Sequence, residues 1–234
     1  MDTPAATQLG FAHFIAQADG LAHFLLVILL AMSVITWYLI VSKTLANLKM
    51  KKHAQAFLAR FWEAPGLVAV ADALQKNGVN DPFSHLAHHG LKAAEQYRNK
   101  TGSRLIESGS EDEFLTRALR RAITQDTARL EYGQTMLASI ASSAPFVGLF
   151  GTVWGIYHAL VNIGMSGSGS LDQVAGPVGE ALIMTALGLA VAIPAVLAYN
   201  FFNRAKRQML TELDGFAHDL FAFMSTGVRN NTRV

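Results

Sequence analysis

Two long stretches of this sequence carry no basic charge at all. None of its 19 lysines and arginines falls in residues 1–42 or 130–203; fourteen lie between Lys43 and Arg129 and five between Arg204 and Arg233. Leu21 to Ser42 is a run of 22 uncharged residues, another begins at Tyr132, and 181–203 gives a further 23. As a helix, 22 residues rise ~33 Å, enough to cross a hydrocarbon core of about 30 Å. An apolar content of 51% against 15% charged residues does not suit an ordinary soluble domain. The pattern predicts three membrane-spanning helices. By the positive-inside rule the basic segments 43–130 and the C-terminus face the cytoplasm, which sets the chain N-out and C-in.

The fold class expected is therefore all-α and integral to a membrane, with long helical extensions into the cytoplasm. An outer lead (1–20) precedes a first span (21–42) and a cytoplasmic helical segment (43–133). A second span (134–163), an outer loop (164–173) and a third span (174–202) follow, then a cytoplasmic helix and tail (203–234). The first apolar run has Asp2 and Asp19 ahead of it, no basic residue, and no small-residue cleavage pattern, so it reads as a retained span. Basic and acidic residues are interspersed, which argues against nucleic-acid binding. The absence of cysteine excludes disulfides and thiolate metal sites.

Within this frame the punctuation is local. Nothing after Lys43 breaks the first helix until Pro65 and Gly66, so it continues through Phe57, Leu58 and Phe61. A short helix over 67–76 closes at Asn77 and Gly78; Asp81 and Pro82 open another, to about Arg98. Ser110 and Glu113 form a capping-box pattern before a helix of roughly fifty residues that tolerates Gly133, its one glycine before Pro145, and becomes the second span. The lead carries Phe11, Phe14 and Ile15 as an amphipathic turn, and 99–109 and 164–170 read as loops, the latter followed by a Ser170/Gln173 cap. The last helix runs to about Ser225. Its tail spaces Met209, Leu213, Phe216, Leu220 and Phe223 by fours and threes, a seam that packs either on the cytoplasmic helices or on another subunit.

The two later spans are unusual in composition. One carries Gly148, Gly151, Thr152 and Gly155 at helical spacing, the other Ala181, Thr185, Gly188 and Ala192. Such small rails let backbones approach closely and favour packing in an oligomer. Glu180 has no lysine or arginine in its span. It is either an acid near a helix end, held by the dipole and water, or a polar element of a wet interior. Thr185 lies about 140° around the helix from it, so the two do not share a narrow stripe. Thr152 is either satisfied by the carbonyl four residues back or part of a polar path. Pro145 and Pro194 are expected to kink their spans.

Elsewhere the bland readings prevail. His85, His88 and His89 have a spacing that would let two chelate a metal, but no acid is close in sequence, and they read as a solvated helix face. No phosphate-binding glycine loop, nucleophile elbow or HExxH is present, so no cofactor and no enzymatic chemistry are expected.

The runs SAPFVGLFGTVWGIYHAL (143–160) and AGPVGEALIMTALGLAVAIPAVLAYN (175–200) resemble the ExbB/TolQ/MotA family of proton-channel stator proteins, the ExbB branch most closely. The likeness covers nearly the whole chain. It implies a homopentameric ring in the bacterial inner membrane, with the outer segments in the periplasm and the second and third spans lining a pore that holds helices of ExbD. It further implies work with TonB, converting the proton motive force into uptake of iron-siderophores and cobalamin. By motif, Thr152, Glu180 and Thr185 correspond to polar residues facing the partner's proton-titrating aspartate, and Tyr199 to a position near the inner end of the pore. The alternative within the family is a TolQ-type subunit of the Tol-Pal envelope system; a MotA-type stator calls for four spans.

Overall fold

A computed structural model describes residues 19–99, 110–166 and 171–226. The expectations for the lead before Asp19, the loop over 100–109 and the Ser170/Gln173 cap lie outside the described residues. Six helices are present among those described: α1 (Gly20–Glu63), α2 (Leu67–Asn77), α3 (Pro82–Arg98), α4 (Glu111–Glu131), α5 (Gln134–Ser166) and α6 (Leu171–Thr226). No described residue is in a strand. Three helical stretches are long and apolar enough to cross a membrane, and the protein is a multi-pass membrane protein.

Helix boundaries follow the local chemistry. Asp19 caps α1, its Oδ1 accepting from Ala22 N–H at 2.8 Å. Asp81 is buried at the start of α3 and accepts from Phe83 N–H and Ser84 N–H at 2.9 and 3.0 Å, while its own N–H reaches Ser84 Oγ at 3.2 Å. That reciprocal cap satisfies the first-turn donors a helix leaves unpaired. Ser110 accepts from Glu113 N–H at 3.3 Å and opens α4.

One boundary corrects the sequence reading. The expected fifty-residue helix is broken at Tyr132 and Gly133, between α4 and α5. Gly133 takes φ +74°, a left-handed conformation that glycine adopts without penalty and other residues rarely do. A Cβ there would also sit 2.9 Å from Leu39 Cδ2. A lone glycine in a helical pattern fits a tolerated interior position or a helix stop equally well, and here it is the stop. Lys43 Nζ donates to the carbonyls of Leu130 and Tyr132, at 3.0 and 2.6 Å, capping acceptors at the end of α4. Pro145 and Pro194 lie inside continuous helices, and Pro177 is a further proline inside α6. The connection between the second and third spans is shorter than expected, with α5 reaching Ser166 and α6 beginning at Leu171.

The chain divides into two compact units, Met1–Val41 with Gly133–Phe202, and Ser42–Tyr132 with Asn203–Val234. The first is held by a cluster of Leu25, Leu29, Leu39, Leu137, Ile140, Ala144, Met184 and their neighbours, against which Tyr199 packs. In the second, the seam of α6 is filled from within the chain. Leu213, Phe216 and Leu220 are buried with Phe61, Leu74, Phe83, Leu86 and Leu119, and Met209 and Phe223 pack at the edge. Phe216 meets Phe61 and Phe83 edge-on, at ring separations of 4.9 and 5.6 Å. The seam is thus occupied by a helical bundle of the same chain.

Candidate functional site

The site lies in the first unit, where α5 meets α6. Its geometry begins with glycine. A Cβ on Gly148 would fall 2.6 Å from Met184 O and 3.0 Å from Gly188 Cα; one on Gly188 would fall 2.7 Å from Ala144 O. A Cβ on Gly151 would collide with Met184, and one on Gly155 with Ala181. The two rails therefore face each other within one chain, a partner that the sequence reading left open. Only residues without a side chain allow so close an approach.

That approach brings two hydroxyls together. Thr152 is buried, and its Oγ1 lies 2.6 Å from Thr185 Oγ1, 3.0 Å from Ala181 O and 3.2 Å from Gly148 O. The contact with Gly148 is the self-satisfying bond to the carbonyl four residues back, and it is the longest of the three. Each hydroxyl supplies one proton and accepts others. If Thr185 donates to Thr152, Thr152 donates onward to the Ala181 carbonyl; if Thr152 instead donates to Thr185, that carbonyl, which can only accept, loses the bond. Thr185 is half-buried, so the pair runs from a closed helix contact to an open edge. Glu180 belongs to the same helix; its side chain lies outside the described residues.

The chemistry available here is relay rather than storage. No described side chain in the spans of this unit is a carboxylate, and a threonine hydroxyl neither gains nor loses a proton near neutral pH.

Two features of this unit have no counterpart in the sequence reading. Trp154, two residues beyond Thr152, donates its Nε1–H to Asp19 Oδ2 at 2.6 Å, tying the start of α1 to α5. Burial pushes the Asp19 carboxyl up, but the Trp154 and Ala22 N–H groups and the nearby His158 and His23 more than offset it, holding it below its usual value. An aspartate before a glycine at a helix start signals a cap, but nothing nearby names a partner 135 residues on. Thr36 is 1% exposed in α1, and its Oγ1 has no hydrogen-bond partner among the described residues.

The second unit answers the histidine question. His85 Nδ1 lies 2.9 Å from Asp126 Oδ2, with both side chains largely buried, and the His85 and His89 rings meet edge-on at 4.4 Å. The acid missing near the histidines in sequence is supplied by α4. Among the described residues no group of three ligands is arranged to hold a metal.

Comparison with known proteins places this geometry. Residues 79–215, more than half of the chain and including both threonines, match the model of the MotA/TolQ/ExbB proton channel family. The chain belongs to that family. A relative from Xanthomonas campestris pv. campestris, named biopolymer transport protein ExbB, is 43% identical over 96% of this chain and 92% of its own length. One of the same name from Neisseria meningitidis is 45% identical over 83% and 87%. The Tol-Pal system protein TolQ of Pseudomonas aeruginosa is 32% identical over 93% of each. The chain is thus an ExbB/TolQ-type transport subunit, and its threonine pair sits inside the matched family region.

Proposed function

We propose that the protein is the ExbB-type ring subunit of a complex with ExbD and TonB in the bacterial inner membrane. It couples the proton motive force to outer-membrane uptake of iron-siderophores and cobalamin. The observation that carries this reading is the buried Thr152–Thr185 hydroxyl pair within a family of proton channels. The identities of 43–45% to proteins named ExbB, against 32% to a TolQ, favour this branch over the Tol-Pal alternative.

In this mechanism the chain is set N-out and C-in, and copies of it form a closed ring, expected to be a pentamer, around helices of ExbD. A proton enters from the periplasm, neutralises an aspartate of the partner, and leaves inward past Thr185 and Thr152. A charged acid is costly to move along an apolar wall, and its neutralisation lets the partner shift against the ring. Each charge crossing the membrane is worth ~2.3 kcal/mol per 100 mV, so a substantial stroke draws on several protons. Glu180 is assigned to the same proton path on the family motif GEALIMTALGL.

Deleting the gene tests the assignment. Iron starvation relieved by the intact gene is the expected phenotype; detergent sensitivity and chained cells with normal siderophore use would assign the chain to the Tol-Pal system instead.

A further inference from the structure

Helices α3 and α4 pack against each other in the second unit, and an open groove of about 470 Å³ runs between them. Its charged lining residues are of one sign, Lys92 from α3 and Arg117 and Arg121 from α4, with His89 beside them. No lining residue is acidic. Arg117 and Arg121 stand at i, i+4 on α4, where like charges repel, and Lys92 adds a third cation from α3.

The nearby carboxylates do little to relieve this. Glu113 is 3.8 Å from Arg117, with both side chains well exposed, a geometry that contributes almost nothing in water. Asp126 is buried against His85. His89 is held below its ordinary value by burial first, then by His85, His88 and Lys92, with Asp126 alone opposing. The groove crowds three fixed cations, and the exposed Glu113 beside Arg117 offsets them only weakly.

We propose that this groove is a docking site for an acidic segment of a protein partner. The lined stretch of α4, Phe114 to Gln125, rises about 16 Å along the helix axis, the reach of roughly five residues of extended peptide. A single phosphate would engage only part of it. Arg117 and Arg121 offer planar forks that match carboxylates two bonds at a time. Between them Phe114, Ala93 and Ala118 supply an apolar floor for the methylenes of glutamate side chains. Two of the chain's own segments outside the described residues are not acidic enough to be that occupant. Residues 100–109 carry Lys100 and Arg104 against Glu107, and 227–234 carry Arg229 and Arg233 with no acid.

The test is fluorescence anisotropy of a labelled hexaglutamate peptide with the full chain in neutral detergent, and hexaglutamine as the comparison. Binding at least about tenfold tighter for hexaglutamate, weakened by salt, is expected. The Arg117→Gln/Arg121→Gln double variant should lose at least about tenfold of it with its helical content unchanged. If that variant loses helicity, Lys92→Gln on the exposed wall replaces it and should weaken binding severalfold. Equal binding of the two peptides, or full binding by a folded variant, would overturn the proposal. So would binding of anionic vesicles that needs Arg117 and Arg121 while hexaglutamate is ignored, which would make the groove a lipid-headgroup site.

Discussion

At the scale of single residues, the second unit shows how burial and pairing compete at one carboxylate. Burial of Asp126 pushes its pKa up; the His85 bond and the Arg129 and His89 charges pull it back, and burial wins. A raised carboxyl contributes stability that is fully present below its unfolded pKa and lost as pH rises through the folded one. The window opens at the ordinary aspartate value of 3.8 and extends upward. Asp126→Asn, whose amide oxygen still accepts from His85 Nδ1–H, should erase that pH-dependent component. At neutral pH it should match or exceed the parent stability by about 1 kcal/mol or less. Asp126→Leu leaves the His85 donor unpaired and should cost about 1–3 kcal/mol. Thermal midpoints of the detergent-solubilised protein between pH 4 and 7, compared variant by variant, check both. The sequence showed the three histidines but not their acid, because the bond joins residues 41 apart on different helices. Sequence spacing reports only neighbours on the same helix.

At the scale of elements, the α5–α6 contact depends on the absence of side chains. Gly188→Ala puts a methyl 2.7 Å from the Ala144 carbonyl and 3.0 Å from Gly148 Cα, so the helices have to part. A loss of about 1–3 kcal/mol is expected from this overpacking, together with a longer Thr152–Thr185 separation. Gly179→Ala, where nothing lies within 4 Å, should be tolerated on the same helix. Thermal midpoints of the two variants distinguish a packing role from a general intolerance of alanine. The rails were legible in the sequence as small residues at helical spacing, whereas their partner was not, since periodicity marks a face and leaves its occupant open. The same holds for the seam on α6, which periodicity located and Phe61, Phe83 and Leu119 turned out to fill. Gly133 was the weakest point of the sequence reading. Its conformation is compensated by groups far along the chain, Leu39 beside it in the first unit and Lys43 on the carbonyls of Leu130 and Tyr132 in the second.

At the scale of the whole molecule, the distribution of charge carried the most information. Lysine and arginine mark where the chain is in water, and the uncharged remainder resolves into three apolar helical stretches. Membrane architecture is readable in this way because a charge in lipid costs several kcal/mol while apolar length is simply counted. The hydroxyl site was legible only in its members: Thr152 and Thr185 were visible, their 2.6 Å contact required the fold. In the proposed function this pair passes protons. Its most direct test is growth on siderophore-bound iron of a strain whose only copy carries Thr152→Val, with Thr152→Ser in parallel and membrane levels of both proteins matched. Valine, which keeps the shape and removes the hydroxyl, should abolish or sharply slow growth, and serine should restore it. Growth at the parent rate with valine would contradict that role.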